Sequence, residues 1–159
     1  MPLGAPLVTL SRRSEIFVLI GECLAVLAVK HLSWIRFDED PEAWSFYARI
    51  STASKRVITL RVTVGERTTE FETYFMPHPE ENVAETLEYL LRCGVKTYPY
   101  HFVIGVEDAV YLRSAIDTSL IDEVVLDLYL GAAVHYSESY FPVAMSIGFP
   151  SRYRYSPNQ

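Results

Sequence analysis

At 159 residues, half of them apolar and 13% aromatic, the chain has material for one compact core and not for two. A net charge of −6 with scattered Lys and Arg excludes a general nucleic-acid binder, whose affinity comes from counterions released by grouped cations. Charged residues at 21% are too few for a self-repelling, disordered polymer.

Positions 1–12 read as a flexible leader, opening with two prolines and a glycine. Ser11 or Ser14 caps a helix running to about Leu32, with Glu15 favourable in its first turn. Ile16, Leu19, Ile20, Cys23, Leu24 and Leu27 recur at helical spacing and form its inner face. The stretch raises the question of a membrane span or an export signal. Glu22 and Lys30 interrupt it, however, whereas spanning needs about 20 nearly uncharged residues and a signal peptide needs a small-x-small cleavage site. It is therefore read as a core helix. Phe17, Val18, Val26 and Val29 do not all fit the inner stripe, and such an apolar excess serves either a dimer interface or a partner site.

The cluster Asp38-Glu39-Asp40-Pro41 predicts a turn. Trp44, Phe46, Ala48 and Ile50 then alternate with Ser45, Tyr47 and Arg49, as in a half-buried strand. Ile58, Leu60, Val62 and Val64 alternate with Thr59, Arg61 and Thr63 still more cleanly. Gly65-Glu66 predicts a two-residue hairpin turn in which glycine takes a positive φ, and 68–76 returns as a third strand. Pro77-His78-Pro79 ends that strand. A helix follows, with Glu80 and Glu81 at its positive start, Val83, Leu87, Leu90 and Leu91 on one face, and Gly94 as a left-handed cap.

Strands are predicted at 98–104 and 109–113 around a hairpin turn at 105–108. Ser119 with Asp122 predicts a capping box for the last helix, whose inner stripe is Ile121, Val124, Val125, Leu128 and Ala132 and which Pro142 kinks or ends. Positions 151–159 read as a flexible tail; Arg152-Tyr153-Arg154-Tyr155 within it interleaves cations with aromatics, but a solvated terminus explains this better than a single-strand site. The expectation is one α+β domain over 13–150, with an antiparallel sheet of about five strands in the order α-βββ-α-ββ-α.

Chemistry is hard to place on this sequence. The glycines lack phosphate-loop spacing, there is no Gly-x-Ser-x-Gly elbow, and no histidine pair or Cys–His set has zinc-ligand spacing. His78 reads as an exposed turn residue, His101 as exposed on the sheet, and His135 as core or rim. Glu107-Asp108 reads as a solvated turn pair. Cys23 and Cys93 read as small buried hydrophobes in a reducing cytoplasm. No catalytic residue, cofactor or metal is predicted. The eleven tyrosines are more informative, because tyrosine combines rigid area with a hydroxyl at binding surfaces. Tyr47 lies on the more polar side of its strand and Tyr89 on the flank of its helix.

Several stretches recur in a family pattern: Arg61-Val62-Thr63-Val64-Gly65-Glu66, Phe75-Met76, Pro79-Glu80-Glu81-Asn82, Tyr89-Leu90-Leu91-Arg92, Tyr100-His101-Phe102, Asp108-Ala109-Val110-Tyr111-Leu112 and Ile147-Gly148-Phe149. On these, from Trp44 to Phe149, the sequence resembles the YbjN family, bacterial domains labelled as sensory transduction regulators with a type III secretion chaperone-like fold. It departs from the family at Gly94, at Phe141-Pro142 and in its unusually apolar first helix. The resemblance implies a sheet packed by helices, often dimeric, without cofactor or established reaction, that captures an extended or partly folded protein segment. It supplies no catalytic residue.

These readings converge on a cytoplasmic protein- or peptide-binding domain, chaperone-like or a regulatory adaptor, with self-association as a homodimer. Candidate partner-binding residues are Phe17, Val18, Val26, Val29, Tyr47 and Tyr89. The competing expectation is a small-molecule sensor or an unrecognised enzyme. That alternative requires a pocket between the sheet and the last helix, lined by His101 or His135 and a carboxylate of shifted pKa.

Overall fold

A computed structural model describes residues 10–30, 35–54 and 56–154. In chain order these form α1 (Leu10–Lys30), β1 (Ile35–Asp40), β2 (Ser45–Ser51), β3 (Val57–Val64), β4 (Thr68–Met76), α2 (Val83–Cys93), β5 (His101–Ile104), β6 (Val110–Asp117) and α3 (Glu123–Gly148). The strands make one antiparallel sheet in the order β1-β2-β3-β4-β6-β5. The sheet has six strands, not about five. The extra one is β1, which occupies the acidic run expected to be a turn. Charges are tolerated there because β1 is an edge strand with one free side. The turn follows it, with Asp40 Oδ1 accepting from the Ala43 amide at 3.2 Å and Trp44 at a left-handed φ of 52°.

Strand alternation sorts the two faces. Phe46, Ala48, Leu60, Val62, Phe71, Phe75 and Leu112 are buried beneath the helices. The opposite face carries one residue from each strand in a continuous row, Asp38, Tyr47, Arg61, Glu72, Arg113 and His101. Arg61 lies 3.4 Å from Glu72, and Arg113 lies 2.8 Å from Glu70 and 3.9 Å from Glu72. Opposite charges face each other across strands, so this face is a self-neutralised, solvated ladder.

Helix α1 packs Ile16, Phe17, Ile20 and Leu24 onto the sheet. Phe17 stacks on Phe46 with centroids 4.4 Å apart. Arg13 fixes the start of the helix, donating to the Val64 carbonyl at 2.9 Å with its guanidinium 4.1 Å over the Trp44 ring.

Helix α3 differs from expectation in its buried stripe and in its cap. Its buried stripe is Leu126, Tyr129, Leu130, Ala133, Ser137 and Ala144, whereas Val124 and Leu128, expected inside, are 77% and 51% exposed. Its cap is Asp122, which accepts from the Val125 amide at 2.8 Å; Ser119 instead bonds to Asp117 in the preceding turn. Of the two outcomes expected at Pro142, an end is excluded, since the helix runs through it. Proline loosens the ladder around the preceding turn, and there Arg56 donates to the Ser137 carbonyl at 3.1 Å while its guanidinium lies 3.3 Å over Phe141. Ser54 adds a 2.7 Å bond to Glu138. The β2–β3 connection thus braces the helix where the proline weakens it.

The end of α3 is tied to the start of α2. The Gly148 carbonyl accepts from the Glu80 and Glu81 amides, and the Ile147 carbonyl from Asn82 Nδ2, which satisfies carbonyls that a helix terminus leaves open. Gly94 is right-handed, at φ −53°, and leads into a 3-10 turn rather than capping by a left-handed residue. None of the described glycines has a positive φ, so the turn at 65–67 does not use the left-handed glycine expected there. Of the expected leader, 10–12 already belong to α1 and 1–9 lie outside the described residues. In the expected tail, Ser151 donates to Glu81 at 2.6 Å and Arg152 lies 3.2 Å from Glu80, and 155–159 lie outside the described residues.

Thr73 Oγ1 and Ser137 Oγ are buried and have no hydrogen-bond partner among the described residues. An unpaired buried hydroxyl carries a desolvation cost, and valine has threonine's shape without it. Thr73→Val is expected to stabilise the fold by about 1 kcal/mol, read from the urea midpoint; a lower midpoint would show that the hydroxyl is engaged.

Candidate partner-binding surfaces

Two apolar surfaces stand out on the exterior. The first lies where α1 and α3 run side by side. A groove of about 370 Å³ opens between them, with Cys23, Val26, Leu27 and Leu126 as its floor and Glu22, Glu123 and Asp127 as its rim. Val26 is 65% exposed, and Val18, Val29, Val124 and Leu128 on the same two helices are also exposed. Burial, with Glu123 and Glu22 close by, pushes the Cys23 thiol up, so it is a poor nucleophile. Both cysteines are free and half-buried rather than fully inside.

The second surface is formed by α2 and the open edge strand β5. Leu87, Leu90, Leu91, Phe102, Val103, Ile104 and Val110 line a slot of about 110 Å³. Leu91, Val95, Tyr98, Ile104 and Val106 are exposed on these elements and their connections. An uncovered strand edge with apolar neighbours is a ready site for strand addition.

The sequence candidates divide between surface and interior. Val18, Val26 and Val29 are exposed on α1, whereas Phe17 is only 9% exposed and belongs to the core. Tyr47 is half-buried within the polar row of the sheet. Tyr89 is half-buried on α2, its phenol pushed up by burial and by a hydrogen bond with Cys93; it belongs to the α2–α3 contact. Tyr100 is buried and donates to the Tyr129 carbonyl at 2.9 Å. His78, His101 and His135 are exposed. The exposed apolar residues that the sequence reading missed include Val124 and Leu128, assigned to the core, Leu91, grouped on the apolar face of α2, and Val95, Val106 and Leu120, given no role. For Val124 and Leu128 the one available signal was an excess of apolar positions around α3.

The space between sheet and α3 is filled. Phe71 packs on Tyr129 at 4.6 Å, and Phe75 meets Phe102 at 5.0 Å and Phe141 at 6.0 Å. Glu138, on the outer side of α3, has its carboxyl held below the usual range despite partial burial, by bonds from Thr52 and Ser54 and by Arg56. It is a brace rather than an acid–base group. Among the described residues no three His, Cys, Asp or Glu side chains are grouped to hold a metal, and no helix is long and apolar enough to cross a membrane.

No protein-family model matches this sequence, and no curated protein is significantly similar to it. Solved structures do match. One chain of the HopA1–SchA chaperone–effector complex superposes with a TM-score of 0.55 at 10% identity, over 84% of this chain and 97% of that one. A chain of the ExsC–ExsE complex gives 0.55 at 15%, over 79% and 92%. A chain of the heterodimeric ExoU–SpcU complex, from the type III secretion system of Pseudomonas aeruginosa, gives 0.51 at 13%, over 61% and 81%. At such identities the likeness is one of fold. It establishes the expected α+β, type III secretion chaperone-like architecture.

Proposed function

We propose that this chain is a non-enzymatic, chaperone-like or adaptor domain that captures a polypeptide on the apolar flank of α1. The observation carrying this reading is the exposure of Val18, Val26 and Val29 on a helix whose other face is already buried in the core. Apolar surface left over after folding, beside a groove, is what a binding site requires. The fold supports the reading, since the matched structures are complexes of two proteins. The residue pattern from 44 to 149 favours a YbjN-type regulator within that class, acting in the cytoplasm with both thiols reduced. Self-association is a further part of the reading. The β5 edge with its apolar surround favours a second copy docked there, leaving the α1 flank free for the client. The sensor or enzyme alternative has less support, because aromatic side chains occupy the space its pocket needs and both its histidines are exposed.

The test is binding of an unfolded, carboxymethylated polypeptide to the full chain. Val26→Asp with Val29→Asp is expected to weaken binding at least about tenfold, or about 1.4 kcal/mol, with the melting temperature unchanged because both positions are exposed. Unaltered binding by the variant, or none by the wild type, overturns the reading.

A further inference from the structure

The rim of the α1–α3 groove carries a specific chemical message. Glu22 stands on one wall, and Glu123 and Asp127 on the other, all three exposed. Among the described residues none of the three forms an ion pair. This contrasts with the outer sheet face, where Arg61 and Arg113 neutralise Glu70 and Glu72. Three carboxylates without an ion-pair partner among the described residues thus surround an apolar floor; Lys30 follows one turn beyond Val26 on α1.

Such a rim disfavours any occupant that is acidic and adds little for one that is neutral. It favours an apolar segment flanked by lysine or arginine, whose side chains lay their stems on the floor and their charges on the rim. Beyond the groove lining itself, Val29 on α1 and Val124 and Leu128 on α3 are also exposed apolar residues of the two helices that form it. A groove walled by two helices, with exposed apolar side chains on both, suits a segment with an apolar stripe better than a compact small molecule. We infer that the α1–α3 groove binds a basic amphipathic segment of a partner protein, with apolar side chains between Val26 and Leu126 and cationic ones at Glu22, Glu123 and Asp127. This rests on the polypeptide-binding reading above and narrows it to one class of client sequence.

The experiment titrates three labelled peptides against the full chain: one whose apolar stripe is flanked by lysines, an identical one with glutamates for the lysines, and a scrambled cationic control without a stripe. The lysine peptide is expected to bind at least about tenfold more tightly than either of the others. The combined variant Glu22→Gln, Glu123→Gln, Asp127→Asn should lose about tenfold for that peptide alone, as should wild type when salt rises from about 50 mM to about 500 mM. Amide protection on binding should fall on 22–27 and 123–127. Equal binding of the lysine and glutamate peptides, indifference to the triple variant, or no binding overturns the inference. So does protection centred on α2 and β5, or groove protection that rises with protein concentration without peptide, which would place a second copy there. The unfolded-polypeptide assay separates the outcomes: if it still responds to the two α1 aspartates, only the charge inference has failed.

Discussion

Phe46→Ala is expected to lower the stability of the fold by about 3–5 kcal/mol, the range for losing a fully buried aromatic and leaving a cavity. Phe46 has no exposed surface and sits where three elements meet. Phe17 of α1 stacks on it at 4.4 Å, and Phe37 of β1 lies 6.4 Å away. A Cβ built on Gly21 would lie 3.4 Å from the ring, so the α1 backbone runs close over it at that point. On the α1 side the residue facing the ring is a glycine, which has no side chain to fill the gap. Urea unfolding reads the loss. Phe46→Leu, which keeps most of the volume, should cost no more than about 1.5 kcal/mol. A loss below that for the alanine variant would mean that α1 does not rest on the sheet at this point, and the groove, whose one wall is α1, would lose its foundation as well.

The dependence of the groove on the core explains which parts of the molecule were legible in the sequence. Strand β3 was read correctly because Ile58, Leu60, Val62 and Val64 alternate with polar residues whose face is solvated; a period of two is unambiguous there. Strand β1 was missed because its acids, Asp38, Glu39 and Asp40, are turn formers by composition. Only its pairing with β2 at the sheet edge makes them acceptable, and pairing is a tertiary fact. The inner face of α3 was misplaced for the opposite reason. The helix is apolar nearly all round, so periodicity cannot choose a face. Placing Val124 and Leu128 inside turns the helix away from its actual buried stripe through Leu126, Leu130 and Ala133, the stripe that leaves Glu123 and Asp127 beside α1.

On α1 the outcome was better. Glu22 marks the solvent side, and Val26 and Val29 fall near it at helical spacing, so their exposure could be read from the sequence. Phe17 could not be sorted in the same way, since it lies between the two faces and its burial depends on Phe46 and Trp44 across the chain. Glu22 was legible as a charge that spoils a membrane span and marks the outer side of the helix, but not as part of a groove. Its place opposite Glu123 and Asp127 required the two helices to be brought together, over about a hundred residues of chain.

Gly65→Ala is expected to destabilise by about 2–3 kcal/mol, the cost of forcing an extra group into fixed surroundings, although the turn does not use a positive φ. A Cβ at this position would lie 2.3 Å from the Thr68 carbonyl oxygen, and that oxygen cannot retreat. It accepts from the Gly65 amide at 3.0 Å, closing the 65–67 connection. The connection is in turn held from outside. Buried Thr118 donates its hydroxyl to the Gly65 carbonyl at 3.0 Å and its amide to the Arg67 carbonyl at 2.9 Å. Relief of the clash therefore breaks a hydrogen bond inside the turn or its tie to the segment leading into α3. Gly131→Ala provides the opposite sign. That glycine is exposed in the middle of α3 with nothing within 4 Å of a new Cβ, so alanine should stabilise by about 0.5–1 kcal/mol through helix propensity alone. Both variants are read from urea midpoints against wild type. If Gly65→Ala matched wild type, glycine at this hairpin would owe nothing to the close approach of Thr68, and the tie through Thr118 would have to be loose enough to yield.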